Sequence, residues 1–267
     1  MPVTRQSATT ARDLVDGGRI DRHRHDDAQA VFPGSGVLAV TTDAGSWVLP
    51  GGTSAIVVPA GMAHSHRAHG RTRLQTVMLP REVCAGLGLD TGAPRVVPVT
   101  PLAREAINAA TLEGPPDPRR GALLTELLAV ELARPGAGGT PAALLLPRPR
   151  DPRLSAVVDA LLADPVRGSL ADLARRTGGS ERTLSRLCRE DTGLSFPELR
   201  TRIRLLAALV HLADGGTVTA AAHRCGWSKP HSFIDAFRRV LGTTPGRYRA
   251  GLHGPAAQSG GATGPAE

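Results

Sequence analysis

Ser169-Leu-Ala-Asp-Leu-Ala-Arg-Arg-Thr-Gly-Gly-Ser-Glu-Arg-Thr-Leu-Ser-Arg-Leu-Cys-Arg-Glu190 and Thr217-Val-Thr-Ala-Ala-Ala-His-Arg-Cys-Gly-Trp-Ser-Lys-Pro-His-Ser-Phe-Ile-Asp-Ala-Phe-Arg-Arg239 share one layout. Each reads as a short helix with apolar residues three and four apart, a glycine turn, a serine cap and a second helix with a polar outer face. Two such units on one connecting helix fit two successive major-groove turns of a duplex. The pair predicts a double-stranded DNA partner, with the rest of the chain deciding when it binds.

The details agree with that reading. In the first unit Ser169 and Asp172 form a capping-box pattern, and Ser180 caps the following helix. Leu184, Leu187 and Cys188 take its inner positions, which leaves Arg182, Ser185, Arg186 and Arg189 as an outer stripe. Arginine grips guanine O6 and N7 with two parallel hydrogen bonds, so this stripe suits the major groove. Ser195-Phe-Pro-Glu198 opens the connecting helix, along which Arg200, Arg202 and Arg204 are expected to reach phosphates. In the second unit Ser228 is the expected cap, with Phe233, Ala236 and Phe237 inside. His231, Ser232, Asp235 and Arg238 lie outside, with Lys229 beside them. Asp235 only accepts hydrogen bonds, so this unit is expected to read fewer bases.

Charge follows the same division. The net charge is +8, and residues 151–250 hold 16 Lys and Arg against 10 Asp and Glu. The positive field therefore lies mainly on the helical half, as phosphate contact requires. Cys84, Cys188 and Cys225 are far apart and predict no disulfide framework. The polar N-terminus and the lack of a long apolar run predict a cytoplasmic protein with no membrane partner.

Upstream, short β-rich runs at 36–42, 46–49, 54–58 and 74–79 are separated by Gly and Pro, the texture of a β-sandwich or barrel. Helical spacing follows at 102–112 and 120–132. The expected organisation is a flexible arm over 1–10, a sensor barrel over 11–100 and a helical segment over 101–134 suited to homodimer formation. A linker over 135–152, the DNA-binding domain over 153–250 and a disordered tail over 251–267 complete it. His23 and His25 sit two apart, so on a strand both point to one side. Gln29 and His64 complete a set of three imidazoles and one carbonyl oxygen, suited to a divalent transition metal such as zinc, nickel, iron or manganese. His66 and His69 read as loop histidines.

Two resemblances sharpen these readings. Leu184-Ser-Arg-Leu-Cys-Arg-Glu-Asp-Thr-Gly-Leu-Ser-Phe196, Gly226-Trp-Ser-Lys-Pro-His-Ser-Phe233 and Phe237-Arg-Arg-Val-Leu-Gly-Thr-Thr-Pro-Gly-Arg-Tyr-Arg249 resemble the AraC/XylS family of transcription regulators. The resemblance covers about 100 residues and implies DNA contacts by Arg182, Ser185 and Arg186, and near His231, Ser232 and Asp235. It also implies RNA polymerase as a partner if the protein activates. Ala221 departs from the larger aliphatic usual there. His23-Arg-His25 with Gln29, and Pro59-Ala-Gly-Met-Ala-His64, resemble the two motifs of the cupin superfamily, with Gln29 in place of the acidic ligand and Ala68 in place of an Asn.

The fold expected is thus α+β multidomain: a cupin-type β-barrel, then an all-α domain with two helix-turn-helix units. The function expected is sequence-specific transcription regulation. The barrel would bind a small-molecule effector or a metal ion at His23, His25, Gln29 and His64. The alternative, a metal-dependent cupin enzyme of dioxygenase or isomerase type fused to a DNA tether, finds no second acid–base pair near the histidines, and no catalytic residue is assigned.

Overall fold

The computed structural model describes residues 9–89, 91–111, 117–134 and 143–252. All but the ends of the expected arm at 1–10 and tail at 251–267 lie outside that range. The N-terminal half contains β1 (Thr10–Leu14), β2 (Arg19–His23), β3 (Ala28–Thr42), β4 (Gly45–Pro50), β5 (Ser54–Val58) and β6 (His64–Leu79). A short helix α1 (Arg81–Cys84), strand β7 (Arg95–Pro98) and helices α2 (Pro101–Thr111) and α3 (Pro118–Ala133) follow. A further strand, β8 (Leu144–Leu146), leads to α4 (Pro152–Ala163).

The two long strands carry the sheet. β3 and β6 pair antiparallel from Ala28–Leu79 to Thr41–Ser65. The outer edge of β6 takes β1 and β2. The outer edge of β3 takes β5 near its start and β4 near its end, with β7 on β5 and β8 on β4. Among the described residues no pairing joins β1 to β8, so the closed barrel expected from the sequence is corrected to an open, bent sheet. The edge of β4 that closure could use is occupied by β8.

The pairing register of β3 with β6 slips between Pro33 and Val37. Gly36 sits there at φ +78°, where a Cβ would strike the Arg71 carbonyl and the Thr72 backbone. Because side chains alternate, such a slip exchanges the faces. Before it, Ala28, Ala30 and Phe32 pack outward with Ile107, Leu128 and Leu132 of α2 and α3. After it, Val37 and Ala39 point outward instead, while Leu38 and Val40 join Val31, Leu49 and Ile56 inside. One face of a single strand pair thus meets two different helical layers.

The C-terminal half continues with α5 (Leu170–Arg176), α6 (Glu181–Thr192), α7 (Phe196–Ala213), α8 (Val218–Arg224), α9 (Pro230–Leu241) and α10 (Pro245–Leu252). The first helix-turn-helix has its own core, in which Leu154, Val157 and Leu161 of α4 meet Leu173, Leu184, Cys188, Phe196 and Ile203. The second does not. Phe233, Phe237, Leu241 and Tyr248 share one buried cluster with Leu205, Leu206 and Leu209 of α7 and with Val37, Ala39, Val48 and Leu144 of the sheet.

The stretch expected as linker, 135–152, therefore contains structure: Leu144–Leu146 is a sheet strand. Arg202 anchors it, donating from Nη1 to the Leu145 carbonyl at 2.5 Å. Arg200 donates to the carbonyls of Arg167 and Gly168, and Arg204 to that of Pro165 while stacking 5.8 Å from the Trp227 ring. These three arginines, expected to reach phosphates, instead hold the chain entering α5 and β8 against α7.

Candidate functional site

Local sequence sets the helices of the first unit. Ser169 accepts from the Asp172 amide while Asp172 reaches back to the Ser169 amide, a complete capping box at the start of α5. Ser180 accepts from the Thr183 amide and fixes the start of α6; Gly193, at φ +71°, ends it. Ser195 and Glu198 repeat the box at α7, with Pro197 in the first turn. Arg182, Arg186 and Arg189 of α6 are exposed and Ser185 is half-buried, so the predicted stripe lies on one open face. That face borders a groove of about 440 Å³ completed by Ser195, Phe196 and Pro197. Arg186 pairs with Glu190 at 2.7 Å, both well exposed. A surface pair of this kind is worth about 0–1 kcal/mol, so it holds Arg186 only weakly. Arg189 lies within electrostatic reach of the Glu198 carboxylate.

In the second unit Lys229, His231, Ser232, Asp235 and Arg238 are all exposed, on or beside α9. One expectation is corrected here. Ser228 does not cap α9; Lys229 occupies that position and makes no side-chain cap bond. Pro230 at the first helical position presets φ and removes an amide that would otherwise need a partner, so the helix starts without a serine. The small Ala221 is fully buried in the same cluster as the rings of this unit, where Phe233 stands 5.1 Å from Trp227 and 5.7 Å from Phe237.

The histidines form a second candidate site inside the sheet. His23 and His64 come together with ring centroids 4.4 Å apart, and His25 stands 4.9 Å from His23. Gln29 is buried beside them, its Oε1 3.0 Å from His64 Nε2. The expected quartet is thus assembled, yet one member was missed. His66, read from the sequence as a loop residue, is on β6, 2 % exposed, with its ring 5.1 Å from His64 and 5.5 Å from His23. His64-Ser-His66 alternates on an unbroken strand, whereas β2 ends at His23 before His25 is reached. The alternation was visible in the sequence, but the polar run His64-Ser-His-Arg-Ala-His69 resembles a loop. His69 is likewise on β6, facing the helical half beside Arg67 and Val210.

Burial lowers the pKa of His64 and of His69 to about 4, and holds that of His66 well below its ordinary value. The unfolded chain takes up protons near pH 6.5, before the folded chain does. Stability is therefore fully present above about pH 6.5 and falls as the pH drops toward 4. A urea midpoint that declines steadily between pH 7 and pH 4.5 is the expected result; a flat profile would contradict the burial of these rings. Burial also pushes the Cys225 thiol up to about 11, in keeping with a core residue.

The helix-turn-helix domain family matches residues 173–251. The HTH-type transcriptional regulator NimR of Escherichia coli K12 is 30 % identical over 238 residues, spanning 86 % of this chain and 82 % of that protein. A putative AraC-like transcription regulator of Streptomyces lividans is 35 % identical over 101 residues, 37 % of this chain and 33 % of its own length. Among solved structures, ToxT of Vibrio cholerae in its unsaturated-fatty-acid-bound form aligns over 93 % of this chain and 96 % of its own at 12 % identity, with a TM-score of 0.40. Two helix-turn-helix units on a shared connecting helix, and a relative matched along most of both lengths, lead to one assignment: the chain belongs to the AraC-type family of helix-turn-helix transcriptional regulators.

Proposed function

We propose that this regulator reads DNA with Arg182, Ser185, Arg186 and Arg189 of α6 and, more sparingly, with Lys229, His231, Ser232, Asp235 and Arg238 of α9. Its N-terminal half acts as a cupin-like sensor, with a sheet left open by β8 and with the histidine pocket as its effector site. One observation carries the proposal: Val37, Ala39 and Val48 of the sheet are buried in one cluster with Leu205, Leu206 and Leu209 of α7. α7 is also the spacer between the two reading helices. A shift of the sheet is thereby a shift of the element that sets their separation, and an effector favouring one arrangement changes duplex affinity by its differential binding. A cleft of about 450 Å³ along this seam, lined by Ala39, Arg67, His69, Arg148, Leu162 and Leu206, leaves room for such movement. The exposed stripe Leu123, Leu127 and Val130 on α3 suits a second copy of the chain.

The test is selection of bound duplexes from a random pool by the full chain, followed by Arg186→Ala. The expected result is a preferred sequence and a loss of about 1–3 kcal/mol at one base pair, with relaxed preference there. An equal loss on every duplex would move Arg186 to phosphate contact. No preferred sequence at moderate ionic strength would overturn the proposed readout.

A further inference from the structure

Buried polar groups ordinarily have partners. The inner face of β6 departs from this at His66, where both ring nitrogens are buried with no hydrogen-bond partner. His64, on the same face, has the opposite difficulty. Its Nδ1 lies 2.9 Å from the Met62 carbonyl and its Nε2 3.0 Å from Gln29 Oε1. A neutral imidazole carries one N–H. With that proton donated to Met62, Nε2 and Oε1 turn lone pairs toward each other. His23 places Nδ1 2.6 Å from the Asp21 carbonyl, which directs its N–H there and leaves Nε2 as a lone pair. The ligand-capable nitrogens of His23, His64 and His66 all lie within 4.8 Å of one another. A cavity of about 30 Å³ adjoins this cluster, lined by His23, His25, Gln29 and His66 among others. That is space for an ion or a water, far below the roughly 300–1,000 Å³ of pockets for organic ligands.

We infer that this cluster is a divalent transition-metal site with His23, His64 and His66 as its imidazole ligands and Gln29 Oε1 as its oxygen donor, and that His25 stands outside the coordination shell. The inference rests on the histidine pocket being the effector site and names what it takes. A cation among these atoms turns the facing lone pairs of His64 and Gln29 into two adjacent ligands and gives His66 the partner it lacks. The Nδ1 bonds of His23 and His64 to backbone carbonyls are the orienting outer contacts that metal-bound imidazoles usually make. The donor set is uncharged and rich in nitrogen, which suits zinc, nickel or copper. It does not suit magnesium or calcium, which depend on carboxylates. Zinc–nitrogen bonds of about 2.0–2.1 Å keep imidazole nitrogens within about 4.2 Å of one another, so any ring standing farther out is drawn inward by the ion. That movement falls on β2 and β6. Arg67 and His69 alternate with the ligands on the opposite face of β6 and line the seam against α7.

The full chain, stripped with a chelator, is titrated with Zn²⁺ and with Co²⁺, following heat and cobalt absorption. One ion per chain is expected. His66→Ala should lower affinity by more than the roughly 10–100-fold typical of losing an outer contact. His25→Ala should cost less than tenfold, and Gln29→Ala should alter the cobalt spectrum. X-ray absorption of the zinc-loaded wild type should count three imidazoles, a readout that does not depend on any variant folding. Absence of binding by the folded wild type would overturn the inference, as it would if the Gln29 amide simply donates to His64. A loss on His25→Ala equal to that on His66→Ala would overturn the ligand set. Duplex affinity is measured with and without Zn²⁺ on the same sample. An ion held by these three rings that leaves duplex affinity unchanged supports the site and overturns its role as the sensor.

Discussion

Replacing Val48 with aspartate is expected to split the unfolding of the chain into two transitions. Val48 is fully buried between the sheet and the helical half, opposite Leu144 in the β4–β8 pairing. A lone carboxylate there costs several kcal/mol, because the cluster offers it no cation. The outer face of β4 becomes solvated if the halves part, so separation relieves the cost, and it weakens the second helix-turn-helix unit, which shares its cluster with the sheet. Calorimetry of the wild type should give one cooperative transition, and Val48→Asp two, with the segment Pro147–Asp151 newly open to proteolysis. Val48→Ala removes volume without charge and should keep a single transition. A single transition in Val48→Asp at the wild-type midpoint would place Val48 outside the contact between the halves.

The second large effect is expected at Phe237. Four of the seven aromatic residues of the chain, Trp227, Phe233, Phe237 and Tyr248, lie in the second helix-turn-helix unit. Phe237 is fully buried and central among them, with ring centroids 5.7 Å from Phe233 and 6.0 Å from Tyr248. The buried residues of the surrounding α8 are Ala221 and Ala222, with only Val218 larger beside them, so the helix has little side chain to move into the space left by a missing ring. Phe237→Ala should therefore cost about 3–5 kcal/mol. The first unit keeps its separate core under α4, so loss should be local. Footprinting on the selected duplex should retain protection under α6 and lose it under α9. Loss of both halves of the footprint would show that the units do not unfold separately.

The helical half was largely legible in the sequence because its signals are local. Serine caps at 169, 180 and 195 act within three residues, and the Arg182–Arg189 stripe follows from helical spacing alone. The strands at 36–42 and 54–58 were legible for the same reason. What escaped notice depends on distant partners. Leu144–Leu146 sits among prolines, and only the free edge of β4 makes it a strand. Arg200, Arg202 and Arg204 look like phosphate contacts until carbonyls some 30 to 60 residues away claim them. The slip near Gly36 that sends Val37 toward α7 rests on Arg71 and Thr72, far along the chain. His66 was missed because six consecutive small, polar and basic residues read as a loop, although strand alternation with His64 was present. Ser228 was misplaced by one residue because Pro230 supplies the helix start that serine supplies elsewhere.

Since Leu144–Leu146 is stitched to β4, the slack between the halves shrinks to Pro147–Asp151, a leash spanning at most about 18 Å. So short a leash holds the two partners at an effective concentration in the millimolar range. A mutual dissociation constant of only about 0.1 mM would then keep them together roughly nine-tenths of the time. Weakening it tenfold, about 1.4 kcal/mol, would leave them apart half the time. On those terms a modest signal, within the reach of one bound ligand, would redistribute the molecule between joined and parted forms.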